Sequence, residues 1–416
     1  MQLSNSLFRS AAILLVVAGS ACAEEHEKLL WSFSGKTDGG GPCGAVIFDT
    51  RGNLYGVASE GGRYGGGTVF ELKPRANGTW SEEDLYHFNP KGPGGYSPQA
   101  PLAFDRKGNL YGTTSLGGEY GAGTVFRLVP QSDGKWKEES LHTFNPAAGD
   151  GAWPLAAVNI DAKGDVYSTT SGGGAHGAGT IFRLTEAPDG TWSESFYSFR
   201  KIGGDGDVPK GAMTLDGHGD LYGTTELGGT HGVGTVFKAS VTTAGEWTEK
   251  VIHSFRKNGV DGYEPLAGPI VGKSAQLYGT TWLGGSHGSA TSGGTVWELA
   301  EKDGEWTETI LHDFDNDGVD GFFPITPVAL TTAGSLVGTA GSGGDMGMMY
   351  GAVFELTPEP NGSWRETILH NFGMTGMDGN GPMSGLIFDA SHNMYGTTFF
   401  GGMKGDGGTV FAIEKQ

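Results

Sequence analysis

The chain has 416 residues, 77 of them glycine, and a formal net charge of −20. Glycine without a strict G-X-Y period excludes collagen, and 22 Phe, 13 Tyr and 10 Trp exclude a disordered glycine-rich linker. The acidity speaks against a nucleic-acid partner, which needs clustered Lys and Arg; it leaves solubility as the plain reading and attraction for divalent cations or basic partners as the sharper one.

In chain order, residues 1–23 read as a secretory signal. Arg9 is the charged region, Ala11 to Val17 is an apolar run too short to span a bilayer, and Ala21-Cys22-Ala23 is an A-x-A cleavage site. The expected mature chain, 24–416, is secreted or periplasmic and has no transmembrane segment. A lipid anchor at Cys22 is the rival reading, but Gly19-Ser20-Ala21 lacks the usual Leu three positions upstream. With Cys22 removed, Cys43 stands alone, so no intrachain disulfide is available and packing must hold the fold.

Seven phrases follow: Leu54-Tyr55-Gly56, Leu110-Tyr111-Gly112, Val166-Tyr167-Ser168, Leu221-Tyr222-Gly223, Leu277-Tyr278-Gly279, Leu336-Val337-Gly338 and Met394-Tyr395-Gly396. Their spacings of 56, 56, 55, 56, 59 and 58 residues suit one four-stranded propeller blade each. In the second repeat, strands are predicted at Pro101 to Asp105, Leu110 to Thr114, Thr124 to Leu128 and Trp136 to Phe144. Ser115 to Gly123 is a glycine-rich loop. Glycine inside a strand, as at Gly112, predicts close approach of a neighbouring backbone. Leu29 to Phe33 is an orphan fourth strand, and 385–413 holds an orphan set of three. Joined, they close a ring and remove the sheet edges. The fold class is therefore all-β: a single seven-bladed β-propeller domain of four-stranded blades over 24–416, closed by the N-terminal strand on the C-terminal blade.

The phrase LYGTT-x-x-GG-x-x-G-x-GTVF, fullest at Leu110 to Phe126 and Leu221 to Phe237, resembles the Gloeo_Verruco (GloVer) tandem repeat of secreted bacterial proteins. The resemblance covers nearly all of 29–416. The sixth copy departs most, with Val337 for Tyr and Ala352 for Thr, and the fifth carries an insertion around Ser289 to Ser292. The resemblance implies export and a repeat architecture, and no activity.

Function is expected on the face that carries the glycine-rich loops and the inter-blade loops. The inter-blade loops share D-G-x-x-P, with Gly94 for Asp in one, and each such Asp-Gly is first of all a turn. Asp315, Asp317 and Asp320, interleaved with glycines, resemble a calcium loop without the full EF-hand pattern, so calcium is the one cofactor considered. Tyr96, Trp153, Tyr263, Phe322 and Phe323 precede the innermost strands near the channel mouth. They could stack on sugar rings or apolar ligands, or plug the channel. His176, His231 and His287 share a slot with Tyr64, Tyr120, Met346 and Lys404. A ligand or metal role is set against the divergence of equivalent slots around a ring. His142, His253, His312 and His370 share a fourth-strand slot with Trp31, Tyr86 and Tyr197, which marks packing.

No nucleophile–base pair stands out, so no catalytic residue is assigned. The leading reading is a monomeric binding or scaffold propeller for extracellular glycan or protein. A polysaccharide lyase or hydrolase using Asp207 and Glu264 is second, and a cell-envelope structural part third.

Overall fold

The computed structural model describes residues 25–287, 293–315, 317, 320–344, 350–373 and 377–415. The signal segment, the fifth-repeat insertion at 289–292, Asn316 and Met346 lie outside the described residues. Seven antiparallel sheets form a seven-bladed propeller whose innermost segments all line one central channel. In the second blade the order from channel to rim is Ala103–Phe104, Leu110–Thr114, Thr124–Pro130, Trp136–Thr143. The innermost strand keeps only two residues of ladder. A second small ladder, Gly95–Tyr96 against Leu116–Gly117, ties the inter-blade loop to the glycine-rich loop.

The ring closes as the orphan strands require. Glu25–Ser32 pairs antiparallel with Thr409–Lys415, from Glu25 opposite Lys415 to Ser32 opposite Thr409. Closure removes an unpaired edge that would otherwise template association. The closing strand is longer than the predicted Leu29 to Phe33, because it starts at Glu25.

The repeat phrase records side-chain packing. Gly112 makes room for a ring and not for a neighbouring backbone: a Cβ there would lie 2.6 Å from Cζ of Phe126 on the adjacent strand. The same holds at Gly56 over Phe70 and at Gly279 over Trp297. Tyr395 donates its hydroxyl to Asp389 at 3.0 Å, and Asp389 also accepts the backbone N–H groups of Ser391 and Asn393. That network fixes the tight turn before the second strand. The sixth blade loses both members at once, with Thr331 and Val337 in place of the Asp and Tyr.

The core lies between blades. Phe144, at the end of one outer strand, packs edge-on to Phe182 of the next blade at 5.3 Å. Equivalent pairs recur around the ring, from Phe88–Phe126 to Phe372–Phe411, and Phe33–Phe70 carries the closing junction. Such pairs add to the burial of two large rings, so blades cohere through aromatic pairs at every junction. Most outer strands carry a bulge, as between Val125 and Phe126 of the facing strand. The Trp192–Ser198 strand pairs without one, which accounts for the single 55-residue spacing.

Candidate functional site

The residue before each inter-blade proline sits in the left-handed region: Gly41, Ser97, Trp153, Val208, Glu264, Phe323 and Gly381, with φ between 56° and 62°. For residues with a Cβ, and above all for β-branched Val208, this conformation is costly. Two backbone bonds hold it. Trp153 N–H donates to Ala122 C=O in the preceding blade's glycine-rich loop at 2.8 Å, and its own C=O accepts from Ser171 N–H at 3.1 Å. The same pair holds Ser97 and Val208. The backbone is thus constant around the mouth while the side chains differ.

The N–H donors of that pattern define a second variable position, immediately after each second strand: Ser59, Ser115, Ser171, Glu226, Trp282 and Gly341, with Phe399 at the seventh equivalent. The residues after the prolines, among them Cys43, Gln99, Lys210 and Met383, line a channel cavity of about 260 Å³. Together these positions make an asymmetric mouth. One arc is polar: Gln99 Nε2 lies 3.3 Å from Ser97 Oγ and 3.2 Å from Ser115 Oγ. A second is charged, with Lys210 Nζ 2.7 Å from Glu226. Burial raises the Glu264 carboxyl, and the charge of Glu226 adds to this, against Lys257 and Lys210. A third is aromatic: Trp282 and Phe323 lie 5.8 Å apart, and Phe399 and Phe400 4.7 Å apart. Burial pushes the Cys43 thiol up to about 12, the direction that disfavours its thiolate.

The predicted residues divide. Trp153 is 51% exposed, whereas Tyr263 (6%) and Phe322 (4%) are buried and Tyr96 is half-buried against Leu116. Asp207, 2% exposed, is held by Lys201 at 3.1 Å and occupies the buried position equivalent to Tyr263, one residue before the slot of Glu264. His176, His231 and His287 are exposed, and none joins a metal-competent cluster among the described residues. Asp317 accepts the backbone N–H of Asp320 at 3.0 Å, which is turn geometry. Asp320 itself faces His312 at 3.2 Å. Glu226, Trp282 and Phe399 were not anticipated; their signal is the change of residue directly after each LYGTT-like strand.

A second constellation lies nearer the rim. At the junction of the second and third blades, His142 Nε2 lies 2.9 Å from Asp150 and 3.7 Å from Glu194 of the next outer strand. His253–Asp261–Glu308, His312–Asp320–Glu366 and His370–Asp378–Glu27 repeat it. Burial, followed by the facing aspartate, pushes Glu194, Glu308 and Glu366 up to about 9 and Glu27 up to about 7. Burial also lowers His253 to about 4. The hydroxyl of Tyr197 occupies the histidine position at one junction, 3.0 Å from Asp205 and 3.2 Å from Glu249.

Comparison with known proteins fits this architecture. The profile of the Gloeobacter/Verrucomicrobia repeat matches residues 20–237 and 197–411. No curated protein matches the sequence significantly. An ancestral GH74 enzyme aligns with a TM-score of 0.50 at 13% identity, over 89% of this chain and 51% of that one. The chain therefore spans about half the length of that enzyme. A protein from Lactobacillus plantarum aligns with a TM-score of 0.50 at 15% identity, over 83% of this chain and 88% of that one. At these identities the likeness concerns the fold alone.

Proposed function

The chain belongs to the Gloeobacter/Verrucomicrobia repeat family, and we propose that it is an exported binding module that takes an extracellular glycan at the channel mouth. One observation carries this reading: the backbone of the pre-proline position is the same in every blade, while its side chain runs Gly, Ser, Trp, Val, Glu, Phe, Gly. A ring that needed only symmetry would repeat the side chain as well. Strained conformations that the surrounding structure over-determines cluster at binding sites. Aromatic faces suit the C–H faces of sugar rings, and the Gln99–Ser97–Ser115 arc and the Glu226–Lys210 pair suit their hydroxyls.

The test is a glycan array probed with the exported chain. Saturable binding that weakens about tenfold, or about 1.4 kcal/mol, in Trp153→Ala and Trp282→Ala supports the reading. A silent array, or binding indifferent to both changes, overturns it in favour of a protein partner or a structural role.

Glu264 favours a second reading. Burial and the charge of Glu226 raise its carboxyl, and two carboxyl groups at one mouth are the kind of pair that glycoside cleavage uses. Turnover of any polysaccharide by the wild type that is lost in Glu264→Gln would establish it; turnover that survives the change would remove it.

A further inference from the structure

We propose that four of the seven blade junctions are divalent transition-metal sites, each built from one imidazole and two carboxylates on three different segments. The ligands are His142, Asp150 and Glu194; His253, Asp261 and Glu308; His312, Asp320 and Glu366; and His370, Asp378 and Glu27. In each set the histidine comes from an outer strand, the aspartate from the loop that leaves it, and the glutamate from the next blade's outer strand. A bound ion would therefore clamp two blades together.

Distances fit. Tetrahedral coordination with bonds of about 2.0–2.1 Å places neighbouring ligand atoms about 3.3 Å apart. The imidazole-to-carboxylate separations are 2.9 and 3.7 Å at His142, 3.4 Å at His253, 3.2 and 3.7 Å at His312, and 3.2 Å at His370.

Unused polar atoms are the second observation. His253 Nε2, Asp261 Oδ1 and Glu308 Oε1 are all buried with no hydrogen-bond partner, as are Oδ1 of Asp320 and Asp378 and Oε1 of Glu366, Glu194 and Glu27. The Asp378 side chain is only 2% exposed. Buried polar atoms in folded proteins are normally satisfied, and two facing carboxyl groups out of water need either a shared proton or a counter-charge. A bound ion would supply the charge and occupy the unpartnered atoms.

The other three junctions lack the imidazole, and each is altered differently. Lys404 places its ammonium 3.5 Å over Trp31, at the junction that holds Glu82. Gly94 removes the aspartate opposite Glu138. The Tyr197 hydroxyl bridges Asp205 and Glu249. Imidazole with carboxylates and no thiolate favours zinc and its neighbours over calcium, which takes oxygen ligands alone.

The experiment measures zinc bound to the exported chain after chelator treatment and reconstitution, with melting temperature alongside. About four zinc ions per chain are expected, with about one lost in each of His253→Gln and His312→Gln. Zinc should raise the melting temperature of stripped protein where calcium does not. Tyr197→His meets Asp205 and Glu249 already in place and should add about one ion, which decides the matter if the glutamine variants misfold. No rebinding of zinc, or a content unchanged by all three substitutions, overturns the proposal and leaves the clusters as carboxyl pairs sharing protons.

Discussion

Thr114 Oγ1 and Thr124 Oγ1 lie 2.8 Å apart, buried directly beneath Gly95, where a Cβ would come within 1.8 Å of the first hydroxyl. The last Thr of LYGTT, the Thr of GTVF and the Gly of D-G-x-x-P are thus one packing unit. It recurs at Thr225–Thr235 beneath Gly206 and at Thr398–Thr409 beneath Gly379. In the sixth blade both threonines become alanine together, Ala340 and Ala352. Thr124→Val is expected to cost about 0.5–1.5 kcal/mol by removing the bond between the two hydroxyls, since the Thr114 hydroxyl still donates to the Leu116 carbonyl at 3.2 Å. Adding Thr114→Ala should cost less than the same change in the wild type. Chemical denaturation of the four proteins in the cycle reads the coupling; simple additivity would show that the two hydroxyls do not depend on each other.

The architecture was legible because a 56-residue period, turn residues and split end strands all point to a closed ring. The junction clusters were not. Glu138, Glu194 and Glu366 follow Trp by two residues on strands that alternate like solvent-facing ones, yet the preceding blade's loop covers that face. His142 does pack on Phe144, at 4.7 Å, as its shared slot with aromatics implied; its bond to Asp150 cannot be read from repeat position. At the mouth, Tyr263 and Phe322 lie two residues before their prolines and Trp153 only one, a difference of register whose consequence for exposure the sequence does not state. Only the left-handed turn at the following residue sends one side chain outward and buries its predecessor.

Val208 holds φ 60° where two other blades have glycine. Val208→Gly should relieve about 1–2 kcal/mol of left-handed strain against about 0.5–1 kcal/mol of added chain entropy in the unfolded state. A small rise in melting temperature is expected. A clear fall would mean that the side chain packs at the mouth more tightly than its backbone strain costs.

Trp297 is the one ring among the seven junction partners that is not Phe. It is fully buried, and its Nε1 has no hydrogen-bond partner. Trp297→Phe restores the ring found at Phe237 and Phe354, removing an orphaned donor and some contact area together. The two effects oppose each other, so a loss below about 1.5 kcal/mol is expected, far from the roughly 3–5 kcal/mol of a truncation to Ala. Equal losses in Trp297→Phe and Trp297→Ala would show that the indole N–H does have a partner.

Glu249 offers a pH test apart from the proposed metal ligands. Burial, then the charge of Asp205, raises its carboxyl from 4.5 to about 7, while the Tyr197 hydroxyl and Arg200 oppose the shift. Between those values the folded chain keeps a proton that the unfolded chain has released. The contribution to stability is therefore whole below about 4.5, falls as pH rises through that window, and is flat above it. Glu249→Gln mimics the protonated form. It should flatten this part of the melting-temperature profile and melt above the wild type at pH values beyond the window. Parallel profiles for the two proteins would mean that the Tyr197 hydroxyl gives its one hydrogen to Glu249 and keeps that carboxylate ionised at this junction.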